Sequence, residues 1–209
     1  MIEALGSVLA GSTKPFVITS GTGTGNDEPG RLLTEDVFDT AHPYPRIALE
    51  MAGAALLAAG VDGRVVRLPL VHDTVKQGLI TPYIALSRER GTAAYVGEGR
   101  NRWPAAQVLD VARLYRLILE RGEPGARYHA SAEEGVCVRA IAEVVGGALK
   151  VPVVSVSPDE AAGYLGWLAA SAGMDLPASS ALTQARLGWH PTGPGLIADL
   201  ERMDFETLH

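Results

Sequence analysis

The chain has 209 residues, of which 47% are hydrophobic and 20% charged, and its formal net charge is −6. An acidic balance without a Lys/Arg cluster argues against nucleic acid and against an anionic membrane surface as partners. The longest apolar runs stop well short of the roughly 18 residues that a membrane span needs. No basic segment precedes the apolar residues at the N-terminus, so we expect no secretory signal.

The few potential metal and disulfide ligands are scattered along the chain. The single cysteine, Cys137, excludes an internal disulfide framework and fits a reducing cytoplasm, which is the location we expect. The five histidines share no i, i+4 spacing, so the sequence indicates no metal site.

Hydrophobic patterning predicts that helices alternate with strands over the first part of the chain. The predicted elements are a helix at 2–9, a strand at 15–19, a helix at 46–59, a strand at 64–68, a helix at 80–90 and a short strand at 91–97. Gly60 stands where the third of these needs a left-handed C-terminal cap. Such an alternation favours a parallel sheet.

The second part of the chain is predicted to be richer in helices. Its predicted elements are helices at 108–121 and 136–149, strands at 126–130 and 151–156, a helix that begins near Ser157, and short helices at 178–187 and 194–203. We therefore predict an α/β fold with a partial parallel sheet, flanking helices and a small, mainly helical C-terminal lobe. The division falls between residues 1–130 and 131–209, and a single domain is the alternative.

A glycine-rich loop, Gly21-Thr22-Gly23-Thr24-Gly25, follows the first predicted strand. Phosphate-binding loops occupy such a position, because glycines let backbone N–H groups approach an anion. Acidic residues and a proline follow in place of a helix, and the G-x-G-x-x-G spacing is absent. The loop is either a phosphate cradle or a mobile connection, and residues 26–43 after it are either a lid or a plain surface loop.

Two further groups of side chains are candidates for a site. His72-Asp73 lies in the predicted loop 69–73, at the C-terminal end of a strand, where open α/β sheets bind ligands; a surface loop pair is the alternative. Arg100, Arg102 and Trp103 lie in the predicted loop 97–104 and combine residue types in which binding energy concentrates, unless Trp103 packs into the core.

Four segments in this order resemble the extended short-chain dehydrogenase/reductase superfamily, the NAD-dependent epimerase/dehydratase-like proteins. The strand PFVITSGT resembles the one whose end carries the catalytic Ser or Thr of the family, and RVVRLP resembles the next strand. The hallmark V-x-D-V-A helix is matched by Val108, Asp110, Val111 and Ala112, and LGWHPTGPGLIADL is similar to the closing L-G-W-x-P segment.

The resemblance implies a Rossmann-like core and an NAD or NADP cofactor, with Pro69 and Leu70 beside the nicotinamide. The glycine-rich dinucleotide-binding segment that opens the family is not found in this sequence, so we expect a truncated Rossmann-like core and an incomplete cofactor site, or no cofactor in this chain. Arg46 and Glu50 stand where the Tyr and Lys of the catalytic Tyr-x-x-x-Lys pair are expected, and Tyr44 lies two residues earlier.

The resemblance also implies an oxidoreductase-like function on a small carbonyl or hydroxyl substrate. In this hypothesis Ser20 or Thr22 hydrogen-bonds a substrate oxygen, and Tyr44 or His72 exchanges a proton. The residues expected to contact the substrate are Arg46, Glu50, Arg102 and Trp103. The alternatives are a non-redox enzyme of the proton-transfer, cyclase or lyase type, and a non-catalytic binding or oligomerisation module.

The missing part of the family's sheet has a structural consequence. Residues 16–19 would then form a hydrophobic sheet edge without a neighbour on one side, and open edges invite pairing with another chain. We therefore expect a homo-oligomer through this edge, or a partner that completes the sheet.

Overall fold

The computed structural model of the protein describes residues 2–24 and 30–206. Its helices are α1 (Ile2–Val8), α2 (Ile47–Ala58), α3 (Ile80–Arg90), α4 (Val108–Arg121), α5 (Val138–Leu149), α6 (Ala161–Leu165), α7 (Ala169–Ala172), α8 (Ala181–Leu187) and α9 (Leu196–Arg202). Its strands are β1 (Phe16–Gly21), β2 (Gly63–Leu68), β3 (Leu70–His72), β4 (Ala93–Val96), β5 (Arg102–Gln107), β6 (Arg127–His129), β7 (Glu133–Cys137) and β8 (Val153–Val156).

The strands form three small sheets. The first has the order β1-β2-β6 and is parallel throughout. The second has the order β3-β5-β7, with β3 parallel and β7 antiparallel to β5, and the third pairs β4 with β8 in parallel. The predicted α/β class with a partial parallel, Rossmann-like sheet and flanking helices is confirmed.

The first sheet lies between two helices, because successive residues of its strands face opposite sides. Val65 packs with Leu56 of α2 on one face. Val66 packs with Leu114 of α4 on the other face. Alternating β-branched residues on β2 therefore fix a helix on each side of the sheet.

The longer helices follow the sequence prediction closely. Helices α3 and α4 have the predicted bounds, and α2 lies within the predicted range. Gly60 has φ +80, the left-handed conformation expected of a C-terminal cap.

Two predicted loops are wrong, because they contain short strands. Residues 70–72 of the predicted loop 69–73 form β3, and Arg102 and Trp103 of the predicted loop 97–104 begin β5. Strand β7 was also missed, and α5 begins two residues later than predicted, at Val138. These strands are short or poor in β-branched residues, so pairing between distant segments, rather than local preference, creates them.

Pro104 explains why the sequence does not predict a strand at β5. It lies in the middle strand of the second sheet, where proline cannot donate a ladder hydrogen bond. The register between β5 and β7 shifts between Trp103 and Ala105, on either side of this proline. The strand tolerates the proline by means of this irregularity.

The predicted division near residue 130 stays a prediction. The largest hydrophobic cluster draws residues from both sides of it, including Ile80, Trp103, Ile141 and Leu200. None of the helices within residues 2–24 and 30–206 has the length and apolar character that a membrane crossing requires.

Strand β1 lies at the edge of the first sheet. Within the described ranges its only strand partner is β2. The homo-oligomer expected through this edge stays a prediction.

Candidate functional site

A row of polar residues crosses the carboxyl end of the first sheet. Ser20 on β1 lies in register with Arg67 on β2, and Arg67 lies in register with His129 on β6. All three side chains are buried, with 1%, 0% and 0% of their surface exposed. Because the strands are parallel, residues from three distant segments meet at one edge.

Glu50 on α2 is the anion at the centre of this row. Its Oε1 accepts from Ser20 Oγ at 2.9 Å and from Arg67 Nε at 2.8 Å, and its Oε2 accepts from Arg67 Nη2 at 2.8 Å. Arg127 Nε donates to the same Oε2 at 3.0 Å. Burial works against the charged carboxylate, but the hydrogen bonds and charges of Arg67, with Ser20 and Arg127, hold the pKa of Glu50 below its ordinary value.

His129 completes the row as a neutral imidazole. Its Nδ1 donates to the Ser179 carbonyl at 2.7 Å, and its Nε2 accepts from Arg67 Nη1 at 3.2 Å, an assignment made from the hydrogen-bond network. Burial lowers the pKa of His129 to about 4, and the neighbouring Arg67 charge acts in the same direction. A neutral His129 can accept from Arg67 without repelling it.

The segment after the glycine-rich loop covers this row. The Val37 carbonyl accepts from Arg67 Nη2 at 2.8 Å, and the Phe38 ring lies 3.7 Å from the Arg127 guanidinium carbon. Glu35 is buried, and its Oε1 accepts from the backbone N–H and the hydroxyl of Thr183, each at 2.7 Å. Of the segment 26–43, predicted as a lid or a plain surface loop, the part from residue 30 onward is therefore anchored to the core. Residues 26–29 lie outside the described residues.

Tyr44 lies against the end of β1. A Cβ atom at Gly23 would come within 2.8 Å of Tyr44 Cζ, and one at Gly21 would lie 3.4 Å from the Tyr44 hydroxyl. The two glycines therefore make room for the tyrosine ring. Thr22 lies between them in a short 3₁₀ turn, and its Oγ1 donates to the Leu68 carbonyl at 3.3 Å. This contact explains two glycines of the loop without invoking a phosphate; Gly25 lies outside the described residues.

Arg46 approaches the same point. Its Cδ would lie 3.4 Å from a Cβ at Gly21, the same distance as the Tyr44 hydroxyl. It immediately precedes α2, its side chain makes no capping hydrogen bond, and it is exposed. The structure thus brings Thr22, Tyr44 and Arg46 together at the carboxyl end of β1. Pro69 follows β2 at the same edge and is half-buried.

The other predicted site residues lie elsewhere. His72 Nδ1 hydrogen-bonds Asp199 Oδ2 at 2.8 Å, and both side chains are buried. His72 Nε2 has no partner in the part of the chain that the structure describes, and no hydrogen bond joins His72 to Thr22 or Tyr44 there. The pair connects β3 to α9, so its visible contacts are those of a buried core histidine.

Arg102 and Trp103 lie on strand β5, in contrast to the predicted loop. Arg102 Nη2 binds Asp175 at 2.8 Å and donates to the Gly30 carbonyl at 3.3 Å. Trp103 packs into the largest core cluster, and its Nε1 donates to the Met174 carbonyl at 3.1 Å. These contacts match the alternative in which Trp103 packs into the core.

Sequence reasoning missed Arg67, Arg127 and His129. A signal for the first was present: Arg67, like Arg64, interrupts the apolar residues of β2, and Glu50 is the one charged residue of α2. Buried charges occur in pairs, so each predicts the other. No comparable signal marks His129, because its partners come from segments far apart in the sequence.

The hallmark Asp110 holds the closing segment of the chain in place. Its carboxylate accepts from the backbone N–H groups of Thr192 at 3.1 Å and Gly193 at 2.7 Å, and its carbonyl accepts from Trp189 Nε1 at 3.0 Å. The segment with the V-x-D-V-A pattern and the closing L-G-W-x-P segment, which both resemble the dehydrogenase superfamily, therefore hydrogen-bond to each other and stabilise the fold.

Comparison with known proteins gives relatives and fold neighbours. No family model matches the chain. It is 39% identical over 201 residues to the uncharacterised protein C2A9.02 of Schizosaccharomyces pombe, and the aligned region covers 96% of the chain and 68% of that protein. It is 37% identical over 194 residues to the uncharacterised protein YLL056C of Saccharomyces cerevisiae, and the aligned region covers 92% of the chain and 64% of that protein.

Solved structures share the fold at low sequence identity. A dTDP-glucose 4,6-dehydratase from Streptomyces venezuelae, crystallised with NAD, has a TM-score of 0.70 at 19% identity and matches 97% of the chain and 62% of its own length. A UDP-glucuronic acid 4-epimerase from Bacillus cereus, in complex with UDP-glucuronic acid and NAD, has a TM-score of 0.72 at 12% identity and matches 99% of the chain and 65% of its own length. The chain thus has the Rossmann-like fold of NAD-dependent epimerases and dehydratases, and spans about two-thirds of the length of these proteins.

Proposed function

Because the chain belongs to the family of the fission yeast protein C2A9.02, and because it has the fold described above, we propose that it serves an NAD(P)-linked oxidoreductase reaction on a small carbonyl or hydroxyl substrate. The observation that carries the proposal is the position of Tyr44. Its hydroxyl lies at the carboxyl end of β1, beside Thr22, where sheets of this type bind their ligands.

In this proposal Tyr44 exchanges a proton with the substrate oxygen, and a neighbouring hydroxyl orients that oxygen. Thr22 is the better placed of the two predicted hydroxyls, because its bond to the Leu68 carbonyl is long at 3.3 Å and a substrate oxygen can replace it. The hydroxyl of Ser20 donates to the buried Glu50 at 2.9 Å, so in this proposal Ser20 stabilises the strand end that carries the site. Glu50 accepts four donors from the protein, so its contacts assign it to holding Ser20 and Arg67 in place.

The residues at this edge fit the nicotinamide end of a dinucleotide. Pro69 and Leu70 are half-buried and directly follow Leu68, whose carbonyl accepts from the hydroxyl of Thr22. A bound nicotinamide would supply hydride transfer. Within residues 2–24 and 30–206 no glycine-rich turn joins a strand to a helix with the G-x-x-G-x-x-G spacing. We therefore assign residues of this chain to the nicotinamide end of the cofactor only.

A non-redox reaction is the second candidate, and one observation favours it. The residue four positions after Tyr44 is Ala48, and Glu50 is enclosed by arginines, so the lysine of a Tyr-x-x-x-Lys pair has no counterpart here. Proton transfer, lyase or cyclase chemistry needs Tyr44 and Thr22 but no nicotinamide. A binding module would need neither hydroxyl.

A nucleotide titration followed by a tyrosine variant tests the proposal. We expect the protein to change the fluorescence of NADH or NADPH on mixing, and to reduce at least one member of a panel of small aldehydes and ketones. Tyr44→Phe should lower that turnover by about 100-fold, the usual contribution of a positioned acid or base, while nucleotide binding persists. Tyr164→Phe is the control, because Tyr164 is 40% exposed on α6.

Two results would count against this function. If neither nucleotide binds but a small molecule protects Tyr44 from chemical modification, the non-redox candidate replaces it. If Tyr44→Phe and Tyr164→Phe turn over substrate equally, Tyr44 is not the proton-transfer residue.

A further inference from the structure

Unlike Arg67 and Arg127, Arg46 has no carboxylate partner among the described residues. Arg67 lies 2.8 Å from Glu50, and Arg127 lies 3.0 Å from the same carboxylate. Among the residues that the structure describes, Arg46 forms no ion pair and its side chain caps no helix. Within residues 2–24 and 30–206 its guanidinium is therefore without an ion-pair partner, although acids outnumber bases in the sequence, 24 to 18.

The aliphatic part of the Arg46 side chain lies over the end of β1. The Arg46 Cδ and the Tyr44 hydroxyl each lie 3.4 Å from the same point above Gly21, and the Leu68 carbonyl lies 3.7 Å from it. The glycine thus lets the aliphatic stem of Arg46 and the phenol of Tyr44 converge over the end of β1. Both side chains reach solvent, because Tyr44 is half-buried and Arg46 exposed.

We propose that Arg46 recognises an anionic group, a phosphate or a carboxylate, on the ligand whose reacting oxygen faces Tyr44. A guanidinium presents a planar fork of N–H donors that matches the paired oxygens of either group. Arg67 cannot play this part, since Glu50, His129 and the Val37 carbonyl occupy all three of its nitrogen atoms. Arg127 directs its Nε at the same Glu50 carboxylate. The inference rests on the proposed function for the place of the site, and adds the charge of the molecule that enters it.

The anion itself can be tested without turnover. In the full chain labelled with ¹⁵N, the Nε–Hε signal of Arg46 is identified by its loss in Arg46→Lys and followed during titration with sodium pyrophosphate or sodium acetate at constant ionic strength. We expect the Arg46 signal to move along a saturating curve, with an apparent affinity at least tenfold above that of Arg90. Arg90 is the internal control, because it is exposed in the last turn of α3. Saturation by pyrophosphate first indicates a phosphate-bearing ligand, and saturation by acetate first indicates a carboxylate.

The inference is overturned if the Arg46 and Arg90 signals shift in parallel and without saturation, since Arg46 is then a solvated surface cation. A second measurement separates this failure from that of the proposed function. If NADH or NADPH binds the wild type and Arg46→Gln binds it no more weakly than Arg90→Gln, with parallel shifts of both signals, the oxidoreductase proposal stands and the anion site falls. If neither nucleotide binds but pyrophosphate or acetate saturates Arg46, the anion site stands and the oxidoreductase proposal falls.

Discussion

The carboxyl end of the first sheet carries two polar regions that differ in their access to solvent. In the buried row, Glu50, Arg67 and His129 are each 0% exposed and hydrogen-bond to one another and to neighbouring protein groups. A few residues away, Tyr44 and Arg46 lie over Gly21 and reach solvent. The comparison shows that the polar residues of the buried row are closed to solvent, whereas Tyr44 and Arg46 are not.

The difference has a physical cause. A buried charge is costly unless partners satisfy all of its hydrogen bonds, so the charges of the row have closed on one another. At the solvent-facing edge a cation without an ion-pair partner among the described residues is tolerated, because water can hydrate it. The row supports the fold, and the edge stays open to solvent.

Removing the charge of Glu50 should have the largest effect, because it leaves Arg67 and Arg127 buried or half-buried without a carboxylate. We expect Glu50→Gln to lower the free energy of unfolding by about 3–5 kcal/mol, measured by urea denaturation. Glu98→Gln is the matched control, since the Glu98 side chain is 75% exposed and pairs with an Arg100 side chain that is 84% exposed. Equal stability of the two variants would show that the row contributes little to the fold.

Acid should weaken the buried row next. The folded pKa of His129 is about 4 and the ordinary value is 6.5, so between these values the unfolded chain binds a proton that the folded chain does not. The stability that a neutral His129 confers is present above pH 6.5 and is lost as the pH falls toward 4, a decrease of about 3 kcal/mol.

This pH dependence can be assigned to one residue. His129→Gln should flatten the dependence of the urea midpoint on pH between 6.5 and 4, whereas His190→Gln should leave it unchanged because His190 is exposed. A slope that persists in His129→Gln would place the titrating group elsewhere.

A smaller effect is expected at the open edge. In Gly23→Ala the new Cβ would come within 2.8 Å of Tyr44 Cζ, so the ring must move. Because Tyr44 is half-buried and can shift, we expect a loss of only about 1 kcal/mol in the free energy of unfolding. Turnover should fall further than this loss of stability suggests.

Gly147→Ala is the control for backbone effects. Gly147 is exposed on α5 with nothing within 4 Å of its added Cβ, so alanine there should stabilise the helix slightly. If Gly23→Ala behaves like Gly147→Ala in both stability and turnover, the position of the Tyr44 ring against Gly21 and Gly23 is not required for stability or turnover.

Much of the fold could be predicted from local patterns. The bounds of α3 and α4 and the cap at Gly60 follow from residue preference and period alone. Strands β3, β5 and β7 could not be predicted, because β3 has only three residues, a proline and two alanines lie in β5, and two glutamates and a glycine begin β7. Only pairing across the second sheet makes these segments strands.

The candidate site divides in the same way. Sequence resemblance pointed to the end of β1 and to Thr22, Tyr44 and Arg46 as candidates, and the structure brings these three together. It gives His72 a buried aspartate partner, and it places Trp103 in the core. A local pattern names which residues are polar, but it does not say which of them find a partner.

By itself, the sequence determined the α/β class, the positions of the longer helices and the polar residues that follow β1 and β2. These features depend on side-chain preference and period, which act over a few neighbouring residues. Only the tertiary structure decided that Glu50 is closed off by Arg67 and Arg127 while Arg46 stays open, because burial and charge pairing depend on segments that lie far apart in the chain.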